Sequence, residues 1–184
     1  MQYTKLGDRG PRVSRIAFGN WSAGGEWGSV DRSAAIAATR QALDLGINLF
    51  DTARAYGFGA AEELLGEALR PEIRSARESL VIATKGGLRN ADGLTVRDSS
   101  PAALRRDLES SLRSIGTDYV DLYQVHWPDP AVSIEETAET LDSFVREGLV
   151  RFVGVSNYDP GKMAAFQRGR PIDTLQPPYH LFRR

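Results

Sequence analysis

Three short, almost wholly apolar runs constrain the fold most: SLVIATK (79–85), YVDLYQVH (119–126) and VRFVGVS (150–156). Each has the length of a strand. None alternates apolar with polar residues, as a strand with one wet face does. Strands apolar on both sides belong to parallel sheets covered on both faces, and helix-period segments separate these runs. The pattern predicts an α/β fold of the (β/α) barrel type. In such barrels the chemistry sits at the C-terminal ends of the strands. Lys85 and His126 close two of the runs. In NLFDTARAYG (48–57), Asp51 ends a further strand and Tyr56 lies in the loop beyond it. Four side chains able to take part in proton transfer are therefore expected at one mouth.

The rest of the chain fits this pattern. QYTKLG and RVSR flank the turn GDRGP and read as a hairpin ahead of the first barrel strand, IAFGN (16–20). Asp31 caps a helix reaching about Leu45, and Gly46 stops it. NLFDTA is the second strand, GAAEELLGEALR (59–70) the second helix and LVIATK the third strand. Gly86 to Ser99 reads as a long polar loop. Ser100 and Pro101 open a helix with the stripe Leu104, Leu108, Leu112 and Ile115, ended by Gly116. Ser133 and Glu136 make a capping-box pattern for a helix that buries Ile134, Ala138, Leu141 and Val145 and stops at Gly148. Asp159-Pro160 starts a short helix, and TLQ (174–176) is the sixth strand. No linker interrupts residues 1–184, so a single domain is expected. A chain of 184 residues can build one substantial core, but an eight-unit barrel takes ~250 residues. The expectation is about six of eight βα units, with a C-terminal segment or a second chain completing the barrel.

Charge and composition exclude several classes. The net charge is −1 with no long run of one sign, which argues against nucleic acid or an anionic membrane as partner. There is no cysteine, so neither a disulfide nor a thiolate metal site can form. His126 and His180 have no zinc-type spacing, and no metal is expected. No apolar run reaches ~18 residues and MQYTKLGDRG has no apolar leader, so a cytoplasmic protein is expected. GFGAAE (57–62) nearly matches a dinucleotide fingerprint, but Glu62 stands where the third glycine belongs.

The strand-end residues allow proton-transfer chemistry at a carbonyl, and equally a structural Asp51–Lys85 pair beside a surface tyrosine. A tyrosine is a weak acid, with an ordinary pKa near 10, and serves at neutral pH when something stabilises its anion. The Lys85 ammonium is the candidate, and Asp51 on the neighbouring strand supplies the counter-charge. A neutral His126 can donate to a carbonyl oxygen. The hydroxyl and amides of Ser156, Asn157 and Gln176 suit a carboxamide ligand. Trp21, Phe58 and Trp127, aromatic residues in mouth loops, are candidate pocket walls, with Trp27 and Tyr158 as lesser candidates. A Schiff-base aldolase using Lys85 is an alternative chemistry for a strand-end lysine.

The stretches GINLFDTARAYG, VIATKGG, DLYQVHWPDP, VRFVGVSNY and LQPPYHLF, in that order, resemble the aldo-keto reductase family. The resemblance implies a (β/α)8 barrel with an N-terminal hairpin and NAD(P)H-dependent reduction of a small aldehyde or ketone. It implies Tyr56 as general acid, Lys85 lowering its pKa, Asp51 holding Lys85, and His126 orienting the carbonyl. It implies a nicotinamide site at Asp51, Ser156, Asn157 and Gln176, and NADP(H) more often than NAD(H). The basic segment that grips the 2′-phosphate in the family falls past the eighth strand, outside this chain. Some relatives serve as regulatory subunits of ion channels, so an inactive or regulatory relative is the other reading.

Overall fold

The computed structural model describes residues 1–182. A short antiparallel hairpin, β1 (Tyr3–Lys5) and β2 (Arg12–Ser14), precedes the main sheet. Six parallel strands then follow: β3 (Phe18–Gly19), β4 (Leu49–Asp51), β5 (Val81–Gly86), β8 (Val120–Val125), β9 (Val150–Ser156) and β10 (Thr174–Gln176). They pair in exactly their order along the chain, so each crossover joins spatial neighbours. Helices α1 (Arg32–Asp44), α2 (Ala60–Ala68), α3 (Arg70–Ser75), α4 (Pro101–Ile115), α5 (Ile134–Arg146) and α6 (Pro160–Gly169) make the connections.

Side-chain alternation sorts the sheet's two faces. Phe50, Ile82, Tyr123, Val125, Val153 and Val155 point outward and pack on Leu104, Leu108, Leu141, Phe144 and Phe166 of the helices. The other phase points inward. Leu49, Ala83, Leu122 and Thr174 line an inner cavity of ≈ 190 Å³ together with Leu6 and Ala17. Strands two and six of the sheet thus share one interior, which is the curl of a barrel wall. The tip of the first hairpin reaches the start of β10, where Arg9 pairs with Asp173 at 3.6 Å.

Local signals explain the helix ends. Asp31, Ser100, Ser133 and Asp159 each accept a backbone N–H three residues on. Gly116, at φ 77°, closes α4 in the left-handed region that favours glycine. The helix expected over 59–70 breaks at Leu69, because Pro71 has no N–H to continue the ladder.

One expectation is corrected. Residues 86–99 are not an irregular loop: β6 (Leu88–Ala91) and β7 (Leu94–Arg97) form a hairpin. Its two-residue turn is Asp92-Gly93, with φ of 52° and 83°. Asp-Gly adopts such a turn readily, and its twist matches that of paired strands.

Phe144 carries much of the outer packing. It is 1 % exposed and meets Tyr123 edge-on at 6.0 Å. Phe144→Ala is expected to lower the urea-unfolding free energy by about 3–5 kcal/mol. A loss below about 1 kcal/mol would mean that the α5–sheet contact is not a principal part of the core.

Candidate active site

The polar residues of the site continue the inward phase of each strand. Along β4 it runs Leu49, Asp51; along β5, Ala83, Lys85; along β8, Leu122, Gln124. Apolar side chains fill the lower layer and polar ones the upper. Backbone pairing continues past the strand ends and fixes the loops that follow. Thr52 N donates to Ala83 O, Arg54 N to Lys85 O, and His126 N to Gly86 O, each at 2.9 Å.

Lys85 is the centre of the site and is only 2 % exposed. Its Nζ donates to Asp51 Oδ1 at 2.6 Å and to Thr52 O at 2.9 Å, and reaches Tyr56 Oη at 3.4 Å. The His126 ring stands edge-on to Tyr56, with centroids 5.7 Å apart. Trp21 stacks on the other side of Tyr56 at 5.9 Å. The structure therefore brings Asp51, Tyr56, Lys85 and His126 together, as the strand-end positions predict.

Electrostatics assign these groups different states. Burial, and then the Lys85 charge, lower His126 to about 4, so its imidazole is neutral at pH 7. His126 Nδ1 is buried with no hydrogen-bond partner among the described residues. Burial also lowers Lys85, and the Asp51 carboxylate opposes that shift. Tyr56 departs from expectation. Burial first, then the Asp51 and Glu26 carboxylates, push its phenol well above the ordinary value. Lys85 does not bring it down in the protein alone, because the ammonium sits closer to Asp51 than to the phenol.

A cavity of ≈ 470 Å³ opens over these groups. Its wall comprises Trp21, Tyr56, Lys85, His126, Trp127, Ser156, Asn157, Gln176, Pro177 and Pro178. A second groove of ≈ 440 Å³ shares Trp127, Asn157, Pro177 and Pro178 with it and runs on past Tyr158, Asp159 and Tyr179. Phe58 does not line the cavity. The backbone is left-handed through Gly57, Phe58 and Gly59, and Phe58 is 37% exposed. Trp27 meets Trp21 edge-on at 5.0 Å, outside the wall. Tyr158 is buried against Phe166, a packing role.

The far wall is a chain of amides and hydroxyls. Asn157, at φ 62°, donates from Nδ2 to His126 O and to Ser156 Oγ, both at 3.0 Å. Ser156 Oγ donates to Gln176 O at 3.0 Å. Gln124 Nε2 donates to Gln176 Oε1 at 3.1 Å, and Gln176 Nε2 lies 3.5 Å from Asp51 Oδ1. Gln124 was not singled out from the sequence. Its signal was a polar side chain in an apolar strand, in phase with His126. Of these, Ser156, Asn157 and Gln176 line the cavity, and one hydroxyl and two primary amides, each both donor and acceptor, fit a carboxamide group.

Among the described residues no group of three or more His, Cys, Asp or Glu is placed to hold a metal ion. No described helix is long and apolar enough to cross a membrane.

Comparison with known proteins bears on the family and the fold. A model of the aldo/keto reductase family matches residues 15–184. Aldo-keto reductase YhdN of Bacillus subtilis (strain 168) is 44% identical over 185 residues, covering 100% of this chain and 55% of that protein. The NADH-specific methylglyoxal reductase of Escherichia coli (strain K12) is 32% identical over 200 residues, covering 100% of this chain and 60% of that protein. The structure of glycerol dehydrogenase AKR11B4 from Gluconobacter oxydans superposes with a TM-score of 0.85 at 36% identity. That match covers 99% of this chain and 56% of the other. The chain thus spans little more than half the length of the relatives it matches.

Proposed function

The chain belongs to the aldo/keto reductase family, and on that footing we propose that it reduces a small aldehyde or ketone to the alcohol, with Tyr56 as general acid and a nicotinamide cofactor as reductant. The observation that carries the proposal is the Tyr56–Lys85–Asp51 array, with Lys85 Nζ 3.4 Å from the phenol oxygen and 2.6 Å from the carboxylate. A reduced nicotinamide, when bound, supplies the hydride. Ser156, Asn157 and Gln176 would hold its carboxamide, on the strength of their donor set.

The protein's own groups manage the proton and the carbonyl. Tyr56 stays protonated at neutral pH, because burial and nearby carboxylates hold its pKa up. It can give that proton to the carbonyl oxygen as negative charge develops there. The Lys85 ammonium then favours the phenolate left behind. Asp51 and Thr52 O fix the ammonium so that it need not reorient during the step. Neutral His126 has one N–H to offer the same carbonyl oxygen. Trp21 and Trp127 flank the reacting centre as aromatic walls of the cavity.

For the cofactor we propose NADP(H) over NAD(H), as is usual in the family. The Escherichia coli relative described as NADH-specific makes a direct comparison necessary. Oxidation of NADPH and of NADH by the purified protein is to be followed at saturating concentrations of simple aldehydes. Where the segment that grips the 2′-phosphate is present, the expected result is turnover with both and a higher kcat/KM with NADPH. Equal or reversed values would overturn the cofactor preference. No oxidation of either would overturn the reductase reading for this chain.

A further inference from the structure

Glu62 is wholly buried, outside the cavity wall, and has no place in the proton transfer above. A buried carboxylate needs compensation. Here Ser111 of α4 contributes, as do two residues that each adjoin the catalytic array. Thr84, the residue before Lys85, donates its hydroxyl to Glu62 Oε1 at 2.7 Å. Arg54, two residues before Tyr56, reaches Glu62 Oε2 with Nη1 at 3.3 Å. The Arg54 backbone N–H in turn donates to Lys85 O at 2.9 Å.

The turn carrying Tyr56 is shaped around that guanidinium. Gly59 has φ 116°, and a Cβ built there would overlap Arg54 Nη1. A Cβ on Gly57 would overlap Gly24 O, and Gly57 N donates to Glu26 Oε1 at 2.9 Å. Phe58, between them, holds a left-handed φ of 47° that a non-glycine residue adopts only at a cost. The GFGAAE run, no dinucleotide fingerprint, is a tight turn closed over Arg54 and fastened by Glu62.

We propose that Arg54 and Glu62 are positioning residues for the reaction, with Glu62 the node that ties the Tyr56 turn to strand β5 and so sets the phenol against the Lys85 ammonium. The role rests on the reading of Tyr56 as the acid. The purely structural alternative is an ion pair that helps α2 pack and leaves Tyr56 where it is.

The two are separated by incorporating 3-fluorotyrosine into the 184-residue chain and recording ¹⁹F NMR spectra, with Tyr56 assigned by the signal missing from Tyr56→Phe. Glu62→Gln keeps the volume and removes the charge. Arg54→Gln is the second variant, at a partly exposed position that tolerates change if the first fails to fold. Both are expected to shift and broaden the Tyr56 resonance and to leave Tyr3, on β1, unmoved. Both are expected to lower kcat by about 10- to 10²-fold with little change in the carbonyl KM. Because the two act through one contact, the double variant should lose no more than the worse single variant. A Tyr56 resonance at its wild-type position in both variants, or fully additive losses in kcat, would overturn the proposal. A Tyr56 resonance that moves as expected in a protein reducing no aldehyde would support the positioning and instead remove the reading of Tyr56 as acid.

Discussion

Tyr56→Phe is expected to lower carbonyl reduction by about 10²–10⁴-fold, the usual range for loss of a general acid, with cofactor affinity unchanged. Phenylalanine keeps the ring that packs between Trp21 and His126. It removes the phenol hydroxyl that Lys85 Nζ reaches at 3.4 Å. His126 cannot stand in for it, because with a pKa of about 4 the imidazole is not an acid at pH 7. For the same reason the wild-type pH–rate profile should show no step near the ordinary histidine pKa of ~6.5. Steady-state kinetics and a fluorescence titration with the nicotinamide cofactor check both halves. A variant within a few-fold of wild type would transfer the acid role elsewhere.

Lys85→Met has the second largest expected effect. The phenol must be protonated to act, so activity is lost as pH rises through the Tyr56 pKa. That pKa is already raised by burial and by the Asp51 and Glu26 carboxylates. Removing the ammonium takes away the group that favours the phenolate, so the pKa climbs further and the acid weakens. Turnover at pH 7 should fall by about 10²-fold, and any alkaline limb should move to higher pH. Asp51, which loses its ion-pair partner, is left as an uncompensated carboxylate beside the phenol and reinforces that direction. A profile unchanged in height and shape would make Lys85 structural.

Much of this was legible in the sequence, for physical reasons. A lysine closing an apolar strand must find a partner, and the barrel topology says where. Ser100-Pro101 and Gly116 mark the ends of α4 because capping chemistry is local. Other features depend on contacts that no spacing encodes. Tyr56 owes part of its raised pKa to Glu26, which the Trp21–Trp27 segment brings in from thirty residues upstream. Phe58 lies two residues after Tyr56 in a left-handed turn, yet it does not line the cavity. Glu62 reads from the sequence only as a departure from a dinucleotide fingerprint, until the fold sets it against Thr84 and Arg54. The hairpin at 88–97 was missed although Asp92-Gly93 announces it, because its flanking residues are too polar to stand out as strands.

The strictly sequential pairing of the sheet also orders events in time. Proteins are made from the N-terminus, and each strand here docks on one already synthesised. The acid–base side of the site needs nothing beyond His126, and so can assemble once β8 has joined β5. The amide wall waits for residues 156–178, and its link from Gln176 back to Asp51 spans 125 positions. The order of synthesis therefore puts Asp51, Tyr56, Lys85 and His126 on the growing chain before the ligand-holding wall that Gln176 completes.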